Sequence, residues 1–127
     1  MKRRILAVAL SAFSVAAIAE PGRVTNGQDL LTACKDFIDN PSGPLAEQFN
    51  MGYCAGMIPA VGNSFILYKA INPEKPVVCI PEQQFTQGQA IRVVIKYLED
   101  HPESLHKSPM ELTSLAYLQA YPCKGSS

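Results

Sequence analysis

The sequence contains few of the residues and motifs that carry chemistry in enzymes. It has two histidines among 127 residues, and it has no P-loop, no G-x-G-x-x-G run and no G-x-S-x-G motif. Without these motifs the commonest nucleotide-binding and serine-hydrolase signatures are missing. We therefore expect no catalytic residue, no cofactor and no metal ion, and we expect the function to rest on binding or on structure.

The first 19 residues are predicted to form a signal peptide. Three basic residues at positions 2–4 precede a mostly apolar segment over 5–17, and residues 17–19 match the A-x-A pattern of a cleavage site. Cleavage is expected before Glu20, which predicts export to the periplasm. A transmembrane anchor is the alternative, but the apolar segment is shorter than the roughly 20 residues that span a bilayer. We therefore expect no membrane contact after cleavage.

Residues 20–127 are predicted to form one domain, with its core over about 26–124. The signal segment holds three of the eleven basic residues and none of the eleven acidic ones. Eight basic residues then face eleven acidic ones, a formal net charge of −3 for the domain. A small negative net charge does not indicate a basic surface that would bind phosphate groups, so nucleic acid is not an expected partner.

Four cysteines remain after cleavage: Cys34, Cys54, Cys79 and Cys123. In an exported chain an even number of cysteines indicates disulfide bonds. A metal site or a redox site is the competing interpretation. The sequence has neither a C-x-x-C motif nor closely spaced cysteine and histidine residues, and both sites usually need such spacing.

The first half of the domain is predicted to form two helices. Asn26 can cap the first helix, in which apolar residues recur at 30, 33, 34, 37 and 38. The second helix begins at about Leu45, and from 51 to 62 it carries no charge, which is typical of a central helix and not of a surface one. Gly52, Gly56 and Ala60 leave a shallow strip along it, and Pro59 with Gly62 is expected to kink or split it.

The second half is predicted to form two more helices. Thr86 with Gln89 forms a capping box before a helix that ends near Asp100, and Ser108 with Glu111 forms another before a helix that runs to about Ala120. The stretch 77–81 between the two halves is expected to be short and extended or irregular, because the residue before Pro81 avoids helical conformations.

The order of the elements predicts the cysteine pairing, although four cysteines allow three pairings. The first two helices form a hairpin with one cysteine each, which favours Cys34–Cys54. The last two helices are joined by a short connection, so they should be antiparallel neighbours, with Cys79 before one and Cys123 after the other. The predicted fold is all-α, a compact bundle of about four to five helices stapled by two disulfides.

Several segments match a known family in the same order along the chain. They are NGQDLLTAC at 26–34, GYCAG at 52–56, CIP at 79–81, VVIKYL at 93–98, HPE at 101–103 and YPCK at 121–124. Together they resemble the immunity proteins that protect bacteria against type VI secretion amidase toxins, the Rap/Tai immunity protein family. The resemblance implies a periplasmic helical protein, usually a homodimer, that plugs the catalytic groove of a peptidoglycan amidase.

The connection between the last two helices is the predicted plug. It joins two capped helices, so its ends are fixed while its tip is expected to be free. The predicted partner-binding residues are Glu103, Ser104, Leu105, His106 and Lys107, with Leu105 as an apolar anchor among polar groups. The outer face of the third helix, including Arg92 and Lys96, is expected to flank the same groove or to make a dimer contact.

Other interpretations of these features stay open. His101 and His106 lie near Glu103 and form a weak candidate for a metal or acid–base cluster, but an ordinary solvated turn is the simpler interpretation. For the whole domain, a small periplasmic acid or stress chaperone, or an envelope accessory protein without a toxin partner, would share the export signal, the size and the disulfides.

Overall fold

A computed structural model describes residues 23–83 and 85–124, and the predicted signal peptide with its cleavage site lies outside them. The described residues form four α-helices joined in sequence, with a short 3-10 turn at Pro102–Ser104. The helices are α1 (Gly27–Asp39), α2 (Leu45–Ile71), α3 (Gln87–Asp100) and α4 (Pro109–Ala120). Extended pairing within this part of the chain is limited to one isolated bridge, between Val78 and Pro122. The predicted all-α bundle is confirmed.

Three of the helices begin at the predicted capping residues. The side chain of Asn26 accepts a hydrogen bond from the Asp29 N–H at 3.0 Å, and Thr86 and Ser108 cap α3 and α4 in the same way. The carboxylate of Asp29 also accepts from the backbone N–H and the hydroxyl of Thr25, at 2.9 and 2.8 Å. These bonds, led by the one from the Thr25 backbone, hold the pKa of Asp29 below its ordinary value.

All four helices contribute to one core, which the segment before α3 completes. The buried residues pack in a single cluster, and α1 presents the face that its apolar spacing predicts. The fully or almost fully buried members are Leu30, Ala33, Cys34, Cys54, Ile58, Val61, Val78, Ile80, Ala90, Ile91, Val94, Leu98, Leu112, Ala116 and Tyr117.

Helix α2 differs from the sequence prediction in two respects. Of the predicted kink or split at Pro59 and Gly62, the split does not occur, because α2 runs unbroken from Leu45 to Ile71. It is also not buried all round: Met51, Cys54, Ile58, Val61 and Gly62 face the core, whereas the opposite side is exposed. The other helices cover one side of α2, so its apolar composition does not mean complete burial.

Two side chains from other elements hold α2 at the position of the proline. Pro59 has no N–H, which leaves the carbonyl of Ala55 without its usual helical partner. The side-chain amide of Gln87 donates to that carbonyl at 2.7 Å. Nearby, the Tyr117 hydroxyl donates to the carbonyl of Ile58 at 2.9 Å.

The ring of Tyr117 fits against α2 because position 62 is glycine. A Cβ atom at Gly62 would lie 2.9 Å from the Tyr117 hydroxyl oxygen. Burial raises the pKa of Tyr117 well above its ordinary value, so the hydroxyl stays protonated and can donate its hydrogen bond.

Both disulfides join the predicted partners. Cys34–Cys54 ties α1 to α2 with a Cα–Cα distance of 5.4 Å, and both cysteines are buried. Cys79–Cys123 ties the segment before α3 to the residue after Pro122, with a Cα–Cα distance of 5.0 Å. The Cys79 N–H donates to the carbonyl of Tyr121 at 2.9 Å, so backbone pairing supports the second bridge.

Candidate partner-binding site

The segment between α3 and α4 begins at a histidine that is fixed in place. The His101 N–H donates to the carbonyl of Leu98 at 3.3 Å, which closes the last turn of α3. The His101 ring stacks on Tyr97 with a centroid distance of 4.1 Å. Its Nδ1 lies 2.7 Å from the Tyr97 carbonyl oxygen, which can only accept, so Nδ1 carries the proton.

The middle of this segment is attached to the start of α1. The Gly27 N–H donates to the carbonyls of Leu105 and Lys107, at 2.8 and 3.1 Å. The side chain of Leu105 is half-buried and packs against the protein's own core. The expectation of a free tip therefore does not hold for Leu105, and an outward anchor would need this side chain to leave its present contacts.

The outermost polar groups of the segment are Glu103 and His106, which are both exposed. Ser104 is half-buried. The half-buried Lys107 places its Nζ 2.9 Å from the Glu111 carboxylate, and the hydrogen bond to Glu111 raises the pKa of this lysine. The five predicted binding residues thus form one turn, in which Glu103 and His106 are exposed and the other three are half-buried.

The outer face of α3 lies beside this turn. Arg92 and Lys96 are exposed, and Lys96 pairs with Asp100 at 2.7 Å. A groove of about 180 Å³ runs between α3 and α4, lined by Val93, Lys96, Tyr97, Asp100, Ala116, Gln119 and Ala120. Pockets for small ligands usually have about 300–1,000 Å³, so this groove is better suited to a side chain of a protein partner than to a metabolite.

The described residues offer no constellation for metal chemistry. Within 23–83 and 85–124, no three His, Cys, Asp or Glu side chains lie close enough together to hold a metal ion. The cysteines at 34, 54, 79 and 123 are bonded in pairs. Among the described residues, the His101 ring has its observed hydrogen bond with the Tyr97 carbonyl oxygen and not with Glu103.

A second surface was only partly anticipated from the sequence. Large apolar side chains are exposed at both ends of α2, namely Leu45, Phe49, Leu67 and Ile71. The strip of small residues between them was visible in the sequence, but the exposure of its ends depends on where the other helices stop. By length and composition α2 could also cross a membrane, and 22% of its most apolar stretch is buried.

Comparison with known proteins gives one match. The family model for Rap1a immunity proteins matches residues 26–123, which include all four helices and all four cysteines. No curated protein and no solved structure matches the chain significantly. Because the match covers most of the sequence, this chain belongs to the Rap1a immunity protein family.

Proposed function

We propose that this protein is a periplasmic inhibitor of a type VI secretion peptidoglycan amidase and that it acts by occluding the amidase's catalytic groove. Membership of an immunity protein family is the observation that carries the proposal, because it supports a toxin as the partner. Occlusion requires a complementary surface and no catalytic group in the inhibitor. The scarcity of reactive residues in the sequence is compatible with such a role.

The turn between α3 and α4 is the proposed plug, formed by Glu103, Ser104, Leu105, His106 and Lys107. Attachment to Gly27 supports this role, since a fixed turn loses little conformational freedom on binding. Glu103 and His106 supply the outward polar contacts, and the face of α3 with Arg92 and Lys96 flanks them. The protein is proposed to act as a homodimer, as the family resemblance implies.

A protection assay tests the proposal. A type VI peptidoglycan amidase from the same genome is directed to the periplasm of a susceptible bacterial host, with or without this protein. The full chain is expected to restore growth, and a chain that lacks residues 1–19 is expected to fail because it stays in the cytoplasm. Lysis despite periplasmic accumulation of the full chain, with every amidase of that genome, would contradict the proposal.

The plug is tested by a double substitution that leaves the fold intact. Glu103→Ala with His106→Ala removes only exposed side chains, so stability should change by less than about 0.5 kcal/mol per site. Amidase inhibition by the purified protein should weaken by at least about tenfold. The matched control is Glu74→Ala with Lys75→Ala, an exposed pair in another turn, and it should inhibit normally. Equal inhibition by both variants would show that this turn is not the plug.

A further inference from the structure

The two disulfides differ in how far a reagent can reach them from solvent. Cys34 and Cys54 are both 0% exposed and lie in the core cluster. Cys123 is 6% exposed, whereas Cys79 is half-buried and lies in the wall of a surface groove. A reagent can therefore approach the second bridge from the side of Cys79, while the first bridge is closed as long as the helices stay packed.

The groove beside Cys79 has room for a thiol-bearing side chain. It has about 480 Å³, and its walls also include Lys69, Ile80, Pro81, Glu82 and Gln83. The Nζ atom of Lys69 lies 4.0 Å from the Glu82 carboxylate. Because these opposite charges largely balance, the groove does not repel a thiolate, which is the attacking form of a thiol.

The chain next to Cys79 is placed where a protein partner can bind it. Residues 79–82 lie outside the helices, and residues 81–83 are exposed. An extended, exposed segment can pair through its backbone with an edge strand of a partner. The neighbours of Cys79, Val78 and Ile80, are buried and hold the segment against the core. A partner therefore meets a fixed backbone that contains one half of a disulfide.

We infer that Cys79–Cys123 is a thiol–disulfide exchange site and that its partner is a dithiol oxidoreductase. The partner's thiolate attacks the sulfur of Cys79 and forms a mixed disulfide, while the bond to Cys123 breaks and Cys123 leaves as a thiolate that takes up a proton. The partner's second thiolate then attacks the partner's sulfur in the mixed disulfide, and Cys79 is released as a thiol. The chain gains two electrons and two protons, and the partner is oxidised to a disulfide.

The two segments that the bridge joins are also held together without it. The Cys79 N–H donates to the Tyr121 carbonyl at 2.9 Å. The Tyr121 ring packs against Phe85 and Tyr117, with centroid distances of 5.6 and 6.3 Å. None of these contacts involves a sulfur atom, so the reduced protein should keep its fold and hold the two thiols close together. The exchange is therefore reversible.

Reduced glutathione is the first probe, because it is a small thiol that requires no recognition surface. The oxidised mature protein is incubated with glutathione, samples are quenched with an alkylating reagent, and peptide mass spectrometry locates the alkylated and glutathionylated cysteines. The initial rate of opening of Cys79–Cys123 should exceed that of Cys34–Cys54 by about 100-fold or more, because only the former can be reached without unfolding. Glutathione should be found on Cys79.

Cys34–Cys54 is the matched control within the same molecule. Unfolding exposes both bridges, so reduction through the unfolded state would open them at similar initial rates. Similar rates, faster opening of Cys34–Cys54, or glutathione on Cys123 and not on Cys79 would overturn the inference. Near-ultraviolet circular dichroism of the protein with Cys79–Cys123 reduced should match that of the oxidised protein, and loss of this signal would contradict a reversible exchange.

The route of attack is tested by a change of charge in the groove. Lys69→Glu should slow opening by glutathione about three- to fivefold at low ionic strength, because the new carboxylate repels the thiolate. Arg92→Glu makes the same change of charge at an exposed position of α3 that does not line the groove, and it should leave the rate unchanged. Equal rates for both variants and wild type would contradict attack through the groove.

The protein partner is tested by trapping the mixed disulfide. A thioredoxin-like oxidoreductase whose second active-site cysteine is replaced with serine cannot complete the exchange, so it should form a covalent complex with the oxidised wild type through Cys79. The Cys79→Ser, Cys123→Ser variant keeps Cys34–Cys54 and should form no complex. A complex through Cys34 or Cys54, or no complex where glutathione reacts, would overturn the protein partner. These measurements need no amidase, so their outcome is separate from that of the proposed function.

Discussion

Gly27 lies at the contact between the start of α1, the turn before α4, and α4 itself. Because it has no side chain, these three elements can approach one another closely. Its N–H donates to two carbonyls of the turn before α4. A Cβ atom there would overlap the Leu112 side chain and lie 3.0 Å from the Cα and carbonyl oxygen of Leu105. Gly88 is different, since a Cβ atom would approach only the mobile end of Arg92, at 3.4 Å. The space around each glycine therefore decides whether an added methyl group stabilises or destabilises the fold.

This contrast gives a prediction for two glycine-to-alanine substitutions. Gly27→Ala should lower the free energy of unfolding by about 1–3 kcal/mol, because backbone and core must move to admit the methyl group. Gly88→Ala should raise it by about 0.5–1 kcal/mol, because alanine favours the helix and meets no rigid obstacle. Urea denaturation of both variants measures the difference. Equal effects would show that Gly27 is not at a close contact.

The sequence predicted the local features of this molecule better than the long-range ones. The caps at Asn26, Thr86 and Ser108 follow from residues within one helical turn, and the pairing of the cysteines follows from the order of the helices. The attachment of Leu105 to Gly27 joins residues 78 positions apart, and no short pattern encodes it. The plug residues were predicted as one turn, but the inward position of Leu105 depends on this contact.

The proline of α2 leaves a backbone carbonyl without its helical hydrogen bond, and a side chain of α3 supplies the donor. Pro59 removes the hydrogen bond to the Ala55 carbonyl, and Gln87 in the first turn of α3 replaces it at 2.7 Å. The proline thereby links the position of α3 to the middle of α2. The sequence predicted a kink or a split at Pro59, but the compensating donor lies 28 positions further along the chain, and no local pattern indicates it.

A double-mutant cycle tests this compensation. Gln87→Ala alone should lower the free energy of unfolding by about 0.5–1.5 kcal/mol, the usual loss for a hydrogen bond. Pro59→Ala supplies a backbone N–H for Ala55, so Gln87→Ala should cost almost nothing in that background. The coupling energy from thermal or urea unfolding is the readout. Additive effects of the two substitutions would mean that Gln87 does not act through the Ala55 carbonyl.

For the whole molecule, stability rests on the core and the disulfides more than on charge. Among the buried residues of the described ranges, the polar side-chain groups are the hydroxyls of Thr113 and Tyr117, and no charged side chain is buried there. The ion pairs join exposed groups, such as Lys35 with Glu99 and Lys96 with Asp100. Exposed pairs of this kind contribute little to stability.

This charge distribution distinguishes an inhibitor that keeps its fold from a chaperone that acid activates. The pKa of Asp29 is lowered, mainly by the Thr25 backbone N–H, so the stability that Asp29 contributes is present above its ordinary pKa. That contribution is lost as the pH falls through the lowered pKa. The acidic members of the described ion pairs, among them Glu99 and Asp100, are exposed. None of these groups lies in the core, so acid should lower stability only modestly.

We therefore expect the protein to remain folded at pH 3. Circular dichroism in the far and near ultraviolet should match that at pH 7, with a melting temperature lower by a few degrees, about the effect of 1 kcal/mol in a domain of this size. The dye ANS should not bind beyond its level at pH 7, because the core residues should stay buried. A chaperone of the acid-activated kind would instead dissociate, lose its near-ultraviolet signal and bind ANS, and this outcome would favour chaperone activity over immunity.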